Sequence, residues 1–124
     1  MRGTGIIGLV GAGVLSACAA PPGGGGGGDV RPAAVPVTVE GAGFAADLRP
    51  GPAGERLTSD GAVPTRGLAV AVRREGGAAL DYSEGRIAKA AAEAACRSAG
   101  GRFDAAAIGR YSGAGTWTFN GACA

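Results

Sequence analysis

The sequence predicts an α+β domain in which one helix, over about residues 83–99, packs on a small antiparallel sheet of three to five strands, closed by a disulfide. Three observations predict it. The stretch from Asp81 to Gly101 is the one segment with helical periodicity bounded by a start and a stop signal. Segments on either side of it alternate apolar and polar residues with the period of a strand. Two cysteines, Cys96 and Cys123, fall near the end of that helix and in the tail just beyond the last strand. Composition limits the size of the domain. Of 124 residues, 26 are Gly and 28 are Ala, so about half of the 46% hydrophobic share is alanine methyl groups. That supports one small domain and excludes a multidomain protein.

The first 17 residues are expected to be a signal segment. Met1-Arg2 supplies a positive charge, and Ile6 to Leu15 is a ten-residue apolar run. As a helix it would reach roughly 15 Å, about half of the bilayer's hydrocarbon core, so it is read as a secretory signal and not as a membrane span. The run exits through Leu15-Ser16-Ala17-Cys18, which resembles the lipobox of bacterial lipoproteins: an aliphatic residue, a small residue, Gly or Ala, then Cys. The resemblance covers about 18 residues and implies that the Cys18 thiol receives diacylglycerol, that the chain is cut before it, and that the new amino group is acylated (palmitate being a usual chain). Durable anchoring takes two or more acyl chains, since one gives only marginal binding. In Gram-negative members an Asp after the lipidated Cys marks inner-membrane retention. Ala19 stands there, which implies the outer membrane facing the periplasm; for a Gram-positive source the rule does not apply.

Residues 18–34 are read as the lipidated Cys followed by a tether. Ala19 to Ala34 contains Pro21-Pro22, six glycines (Gly23 to Gly28) and Pro32. It offers little to bury, and as a coil would span roughly 20 to 25 Å. The glycine run is not a phosphate loop, because no Lys-Ser/Thr and no helix follow it.

The domain is expected over residues 35–124. Val35, Val37 and Val39 alternate with Pro36, Thr38 and Glu40, the pattern of an edge strand. Residues 41–66 carry turn chemistry, with a short second strand inside at Phe44, Ala46 and Leu48. Leu68 to Arg74 is the cleanest strand. Asp81 and Glu84 stand at capping-box spacing before the helix, whose apolar arc is Ile87, Ala88, Ala91, Ala92 and Ala95. Gly100-Gly101 stops it. Phe103 to Tyr111 and Thr116 to Asn120 read as a closing hairpin turned at residues 112–115, with Trp117 and Phe119 on one face.

With Cys18 lipidated, Cys96 and Cys123 form an even pair in an oxidising compartment, and the expectation is a structural disulfide. Cys123 shares the strand parity of Trp117 and Phe119. A reactive thiol or a metal ligand is the other use of such residues. There is no His, so the two cysteines alone make too small a metal set, and no metal or cofactor is expected.

No catalytic residues are assigned. The lack of His removes the usual nucleophile triads, and no Ser-x-x-Lys appears. Gly41-Ala42-Gly43-Phe44-Ala45-Ala46 has the spacing of a dinucleotide fingerprint, but Pro50 and Pro52 forbid the helix that must follow it. A net charge of +2 gives no electrostatic case for nucleic acid. Arg73, Arg74, Arg102 and Arg110 are a candidate patch for an anionic envelope polymer. Tyr111 and Trp117 offer rings for a sugar, although so few aromatics are also needed for the core. The leading expectation is a membrane-anchored, non-catalytic domain that binds or scaffolds an envelope protein or polymer. The rival class is an envelope hydrolase using the loop carboxylates Asp47, Glu55 and Asp60; a third is a small inhibitor or immunity-type binder.

Overall fold

A computed structural model describes residues 30–124; the signal segment, Cys18 and the glycine run lie outside the described residues. Seven strands and one α-helix follow in the order β1 (Ala33–Val39), β2 (Ala42–Arg49), β3 (Gly54–Thr58), β4 (Gly61–Thr65), β5 (Leu68–Arg74), α1 (Gly85–Ser98), β6 (Gly109–Ser112) and β7 (Thr116–Cys123). Five of them form an antiparallel sheet in the order β1-β2-β5-β7-β6, and β3 and β4 form a separate hairpin. The fold is therefore the α+β arrangement that the periodicities predict, with one helix on an antiparallel sheet.

Register explains which face is covered. Ala46 lies between Val35 and Val72, Leu48 between Ala33 and Val70, and Phe119 beside Val70. Alternation at period two sends these side chains to one face, and α1 packs there. From the helix come Ala88, Ala91, Ala92, Ala95 and Cys96, all fully buried. Their methyl groups let the helix lie close to the sheet. The larger volume comes from elsewhere: Phe44, Leu48, Val70, Val72, Phe119 and Leu80. A buried Phe or Leu stabilises by roughly 1.5–3 kcal/mol and a buried methyl by about 0.8, so the sheet supplies more of the core's stability than the helix does.

The helix begins as the capping box requires. The Asp81 carboxylate accepts from the Tyr82 amide at 2.9 Å, and the Glu84 carboxylate accepts from the Asp81 amide at 2.8 Å. This reciprocal pair tightens the first turn, Tyr82–Glu84, into 3-10 geometry, so the α-helix proper starts two residues later than expected. At the other end Gly100 adopts φ +87°, and the Gly100 and Gly101 amides bond the carbonyls of Arg97 and Cys96. Only glycine takes that conformation without strain.

Three expectations are corrected. Within residues 41–66 the short strand expected at Phe44, Ala46 and Leu48 is the eight-residue β2, but the rest is not turn-rich loop: it holds the β3–β4 hairpin. The hairpin turns where the Thr58 hydroxyl donates to the Gly61 carbonyl and accepts from the Asp60 amide. It is fastened by backbone bonds to residues 106–108, Leu57 N–H to the Ala106 carbonyl and Ile108 N–H to the Glu55 carbonyl. Second, the segment from Phe103 is strand only over Gly109–Ser112. Before that Asp104 organises a turn, its side chain accepting from the Ala106 amide at 3.0 Å. Third, β1 begins at Ala33, and Val30 already packs on the core, so the ordered unit starts before residue 35.

The last strand carries one irregularity that matters. Val70 faces Phe119, yet Leu68 faces Cys123, so two extra residues are accommodated in β7. Gly121 within that stretch has φ +66°. Because the slip is two residues and not one, Cys123 keeps the parity of Phe119 and reaches the helix face.

Candidate functional site

The domain has two unlike ends, and the strand directions define them. The Arg86–Glu40 pair (3.3 Å) and the Arg74–Glu84 pair put the β1–β2 turn and the end of β5 beside the start of α1. At the other end the last turn of α1 meets the start of β5 and the finish of β7.

The second end holds the disulfide. Cys96 and Cys123 are bonded, with Cα atoms 5.7 Å apart, inside the range of about 4.4–6.8 Å that a bridge needs. Both are fully buried. Gly101 lies directly over them. A Cβ on Gly101 would stand 2.8 Å from the Cys123 sulfur and 3.1 Å from Val30 Cβ, so Val30 and the disulfide flank one backbone position. Here the chain coming from residue 29 enters the fold.

The first end is aromatic. Tyr111 donates its hydroxyl to the Leu80 carbonyl (2.8 Å), and the Trp117 indole N–H donates to the Asp81 carbonyl (3.1 Å). These two rings, 5.6 Å apart, thereby hold the segment that caps the helix. Tyr82 lies against both at 5.8 Å and is 71% exposed. The result is an open aromatic face with the carboxylates of Asp81 and Glu84 beside it, shaped for an apolar or sugar-ring contact. Sequence reasoning named Tyr111 and Trp117 and missed Tyr82. Its signal was available: a residue directly after an N-cap projects outward, and a large aromatic there has no core to join.

The four arginines of the expected patch are not brought together. Arg73 and Arg74 are neighbours on β5 and so point to opposite faces. Arg73 pairs with Asp47 at 3.3 Å, while Arg74 engages Glu84 and sits 5.4 Å over the Phe44 ring. Arg110 lines a groove of about 360 Å³ with Glu55 and Asn120. Arg102 lines a different cleft of about 450 Å³, with Arg56, Arg66 and Asp104. The carboxylates of residues 41–66 are likewise apart: Asp47 is on β2 with Arg73, Glu55 faces the Arg110 groove, and Asp60 sits in the hairpin turn. Among the described residues no group of three His, Cys, Asp or Glu could hold a metal ion, and no helix is long and apolar enough to cross a membrane.

No family model, curated protein or solved structure matches the chain.

Proposed function

We propose that the protein is a lipid-anchored envelope protein whose domain is non-catalytic and binds or scaffolds an envelope partner through its aromatic end. The Leu15-Ser16-Ala17-Cys18 sequence supports the anchor. The single observation that carries the binding role is the opposition of the two ends. The chain from Cys18 enters at the disulfide, and the exposed Tyr82 ring lies at the far end of the domain. A tether at one end and an exposed aromatic face at the other is the layout of a domain held at a surface and presented away from it. For a Gram-negative source the partner would be met in the periplasm, from the outer membrane.

The experiment is site-specific photo-crosslinking in living cells. A photoreactive residue at Tyr82 is expected to give one dominant adduct with a single envelope protein or glycan, and the same probe at Leu57 on the β3–β4 hairpin to give none. Identical adduct patterns at both positions would remove the aromatic end from the account.

A further inference from the structure

The cations of this domain are concentrated at one end. Five ion pairs among the described residues occupy Arg56, Arg73, Arg74, Arg86 and Arg97. Arg31, Arg49, Arg66, Lys89, Arg102 and Arg110 are in none of them. Of these six, Arg31, Arg49, Arg66 and Arg102 lie where the chain enters, and all four are exposed. Arg31 follows Val30. Arg49 ends β2 opposite Ala69, next to the start of β5. Arg66 lines a small cleft with Val30, Leu68 and Cys123. Arg102 follows Gly101, and its backbone exchanges two hydrogen bonds with Ala124, beside the end of β7.

Arg66 and Arg102 also share a larger cleft with Arg56, where the one acidic side chain, Asp104, is already held by Arg56 at 2.9 Å. The opposite end has a smaller charge of the other sign: Glu40 and Glu84 are paired there with Arg86 and Arg74, which leaves Glu75 and Asp81 around the start of α1. The domain is an electrical dipole, positive where the chain enters.

We infer that the positive end is a docking face for the phosphate headgroups of an anionic bilayer. The domain then stands with Arg31, Arg49, Arg66 and Arg102 toward the lipid and Tyr82 away from it. The inference rests on the lipid-anchor reading for what brings the face to the membrane. Eleven residues separate Cys18 from Val30, a reach of at most about 40 Å, so an acyl group on Cys18 keeps this end within constant reach of headgroups. Guanidinium groups match phosphate oxygens in pairs of hydrogen bonds. Cations beside a membrane and a lipid anchor add to one another's hold. The acidic end does not cancel the attraction. The 14 residues of α1 span roughly 21 Å, more than two Debye lengths of about 8 Å in physiological salt.

The test uses the full chain as the cell processes it, reconstituted on vesicles of phosphatidylcholine alone or with phosphatidylglycerol added. Amide hydrogen exchange is followed in segments 30–34, 66–68 and 101–103. Exchange there is expected to slow several-fold on the anionic vesicles and to return to the neutral-vesicle rate in about 1 M salt, where the Debye length is about 3 Å. Arg66→Glu with Arg102→Glu should abolish the difference, and Lys89→Glu with Arg110→Glu, which changes the net charge equally, should keep it. Equal exchange on both vesicles overturns the inference, as does equal loss in the two double variants. If either variant melts early, the lipid and salt arms on the unmutated chain still decide. Failure of the anchor reading looks different: Cys18 is unmodified and the protein leaves neutral vesicles, while anionic vesicles still protect the same segments.

Discussion

Cys96, in the last turn of α1, is bonded to Cys123, the last residue of β7, across a Cα separation of 5.7 Å, and both side chains are shielded completely from solvent. The bond closes a loop whose ends lie 27 residues apart in sequence, which the chain-entropy argument values at roughly 3.5 kcal/mol. For a domain whose helix contributes mainly methyl groups to the core, that is a large share of a net stability of several kcal/mol. Cys96→Ala and Cys123→Ala are expected to lower the melting temperature alike, by more than about 10 °C, and the double variant to be no worse than either single one. Unchanged melting in the double variant would mean that packing alone holds the C-terminal strand.

The β3–β4 hairpin is expected to depend on Gly54. A Cβ there would stand 1.7 Å from the Asn120 carbonyl oxygen, a backbone atom that cannot step aside. Gly54→Ala should detach the hairpin at a cost of about 2 kcal/mol or more, seen as rapid amide exchange over residues 54–65 with the five-stranded sheet intact. Gly113→Ala has open space around it and should change little.

Thr65 is the converse case. Its hydroxyl is buried with no hydrogen-bond partner among the described residues, enclosed by the backbones of Gly54 and Gly121. Such a group is held at a desolvation cost of about 1–3 kcal/mol. Thr65→Val keeps the shape and removes that cost, and denaturant unfolding should report a gain of about 1 kcal/mol. A loss would indicate that the hydroxyl is satisfied by water.

Most of the fold was legible because its signals were local and redundant. The helix announced itself three times, through the Asp81–Glu84 cap, the alanine arc and Gly100-Gly101. The cysteine pair followed from number and parity, and parity survived only because the β7 irregularity is two residues long. The hairpin was illegible for a physical reason: its strands are mostly exposed, and it is fastened through backbone, by hydrogen bonds to residues 106–108 and close approach at Gly54 and Gly121, which leaves no apolar alternation to read. The arginine patch failed on a rule the sequence did contain. Residues 73 and 74, adjacent on a strand, belong to opposite faces. The clustering of Arg31, Arg49, Arg66 and Arg102 depends instead on which strand ends meet, and no spacing encodes that.

Within the aromatic end, stability and recognition are expected to separate. Trp117 stacks on Phe119 and holds the Asp81 carbonyl, so Trp117→Ala should cost about 3 kcal/mol. Tyr82 is mostly exposed, and Tyr82→Ala should cost less than about 1 kcal/mol while removing the envelope crosslink. Retention of the crosslink by Tyr82→Ala, probed from Ser83, would move the partner elsewhere.

Membrane anchoring depends on Cys18, and intact-mass spectrometry of the protein taken from the cell envelope reads its modification. The expected result is a chain that begins at Cys18 and carries the added mass of a diacylglyceryl thioether and an N-linked acyl chain, with Cys18→Ser leaving the protein unacylated and released or misprocessed. A mature envelope form with Cys18 present and unmodified would contradict it.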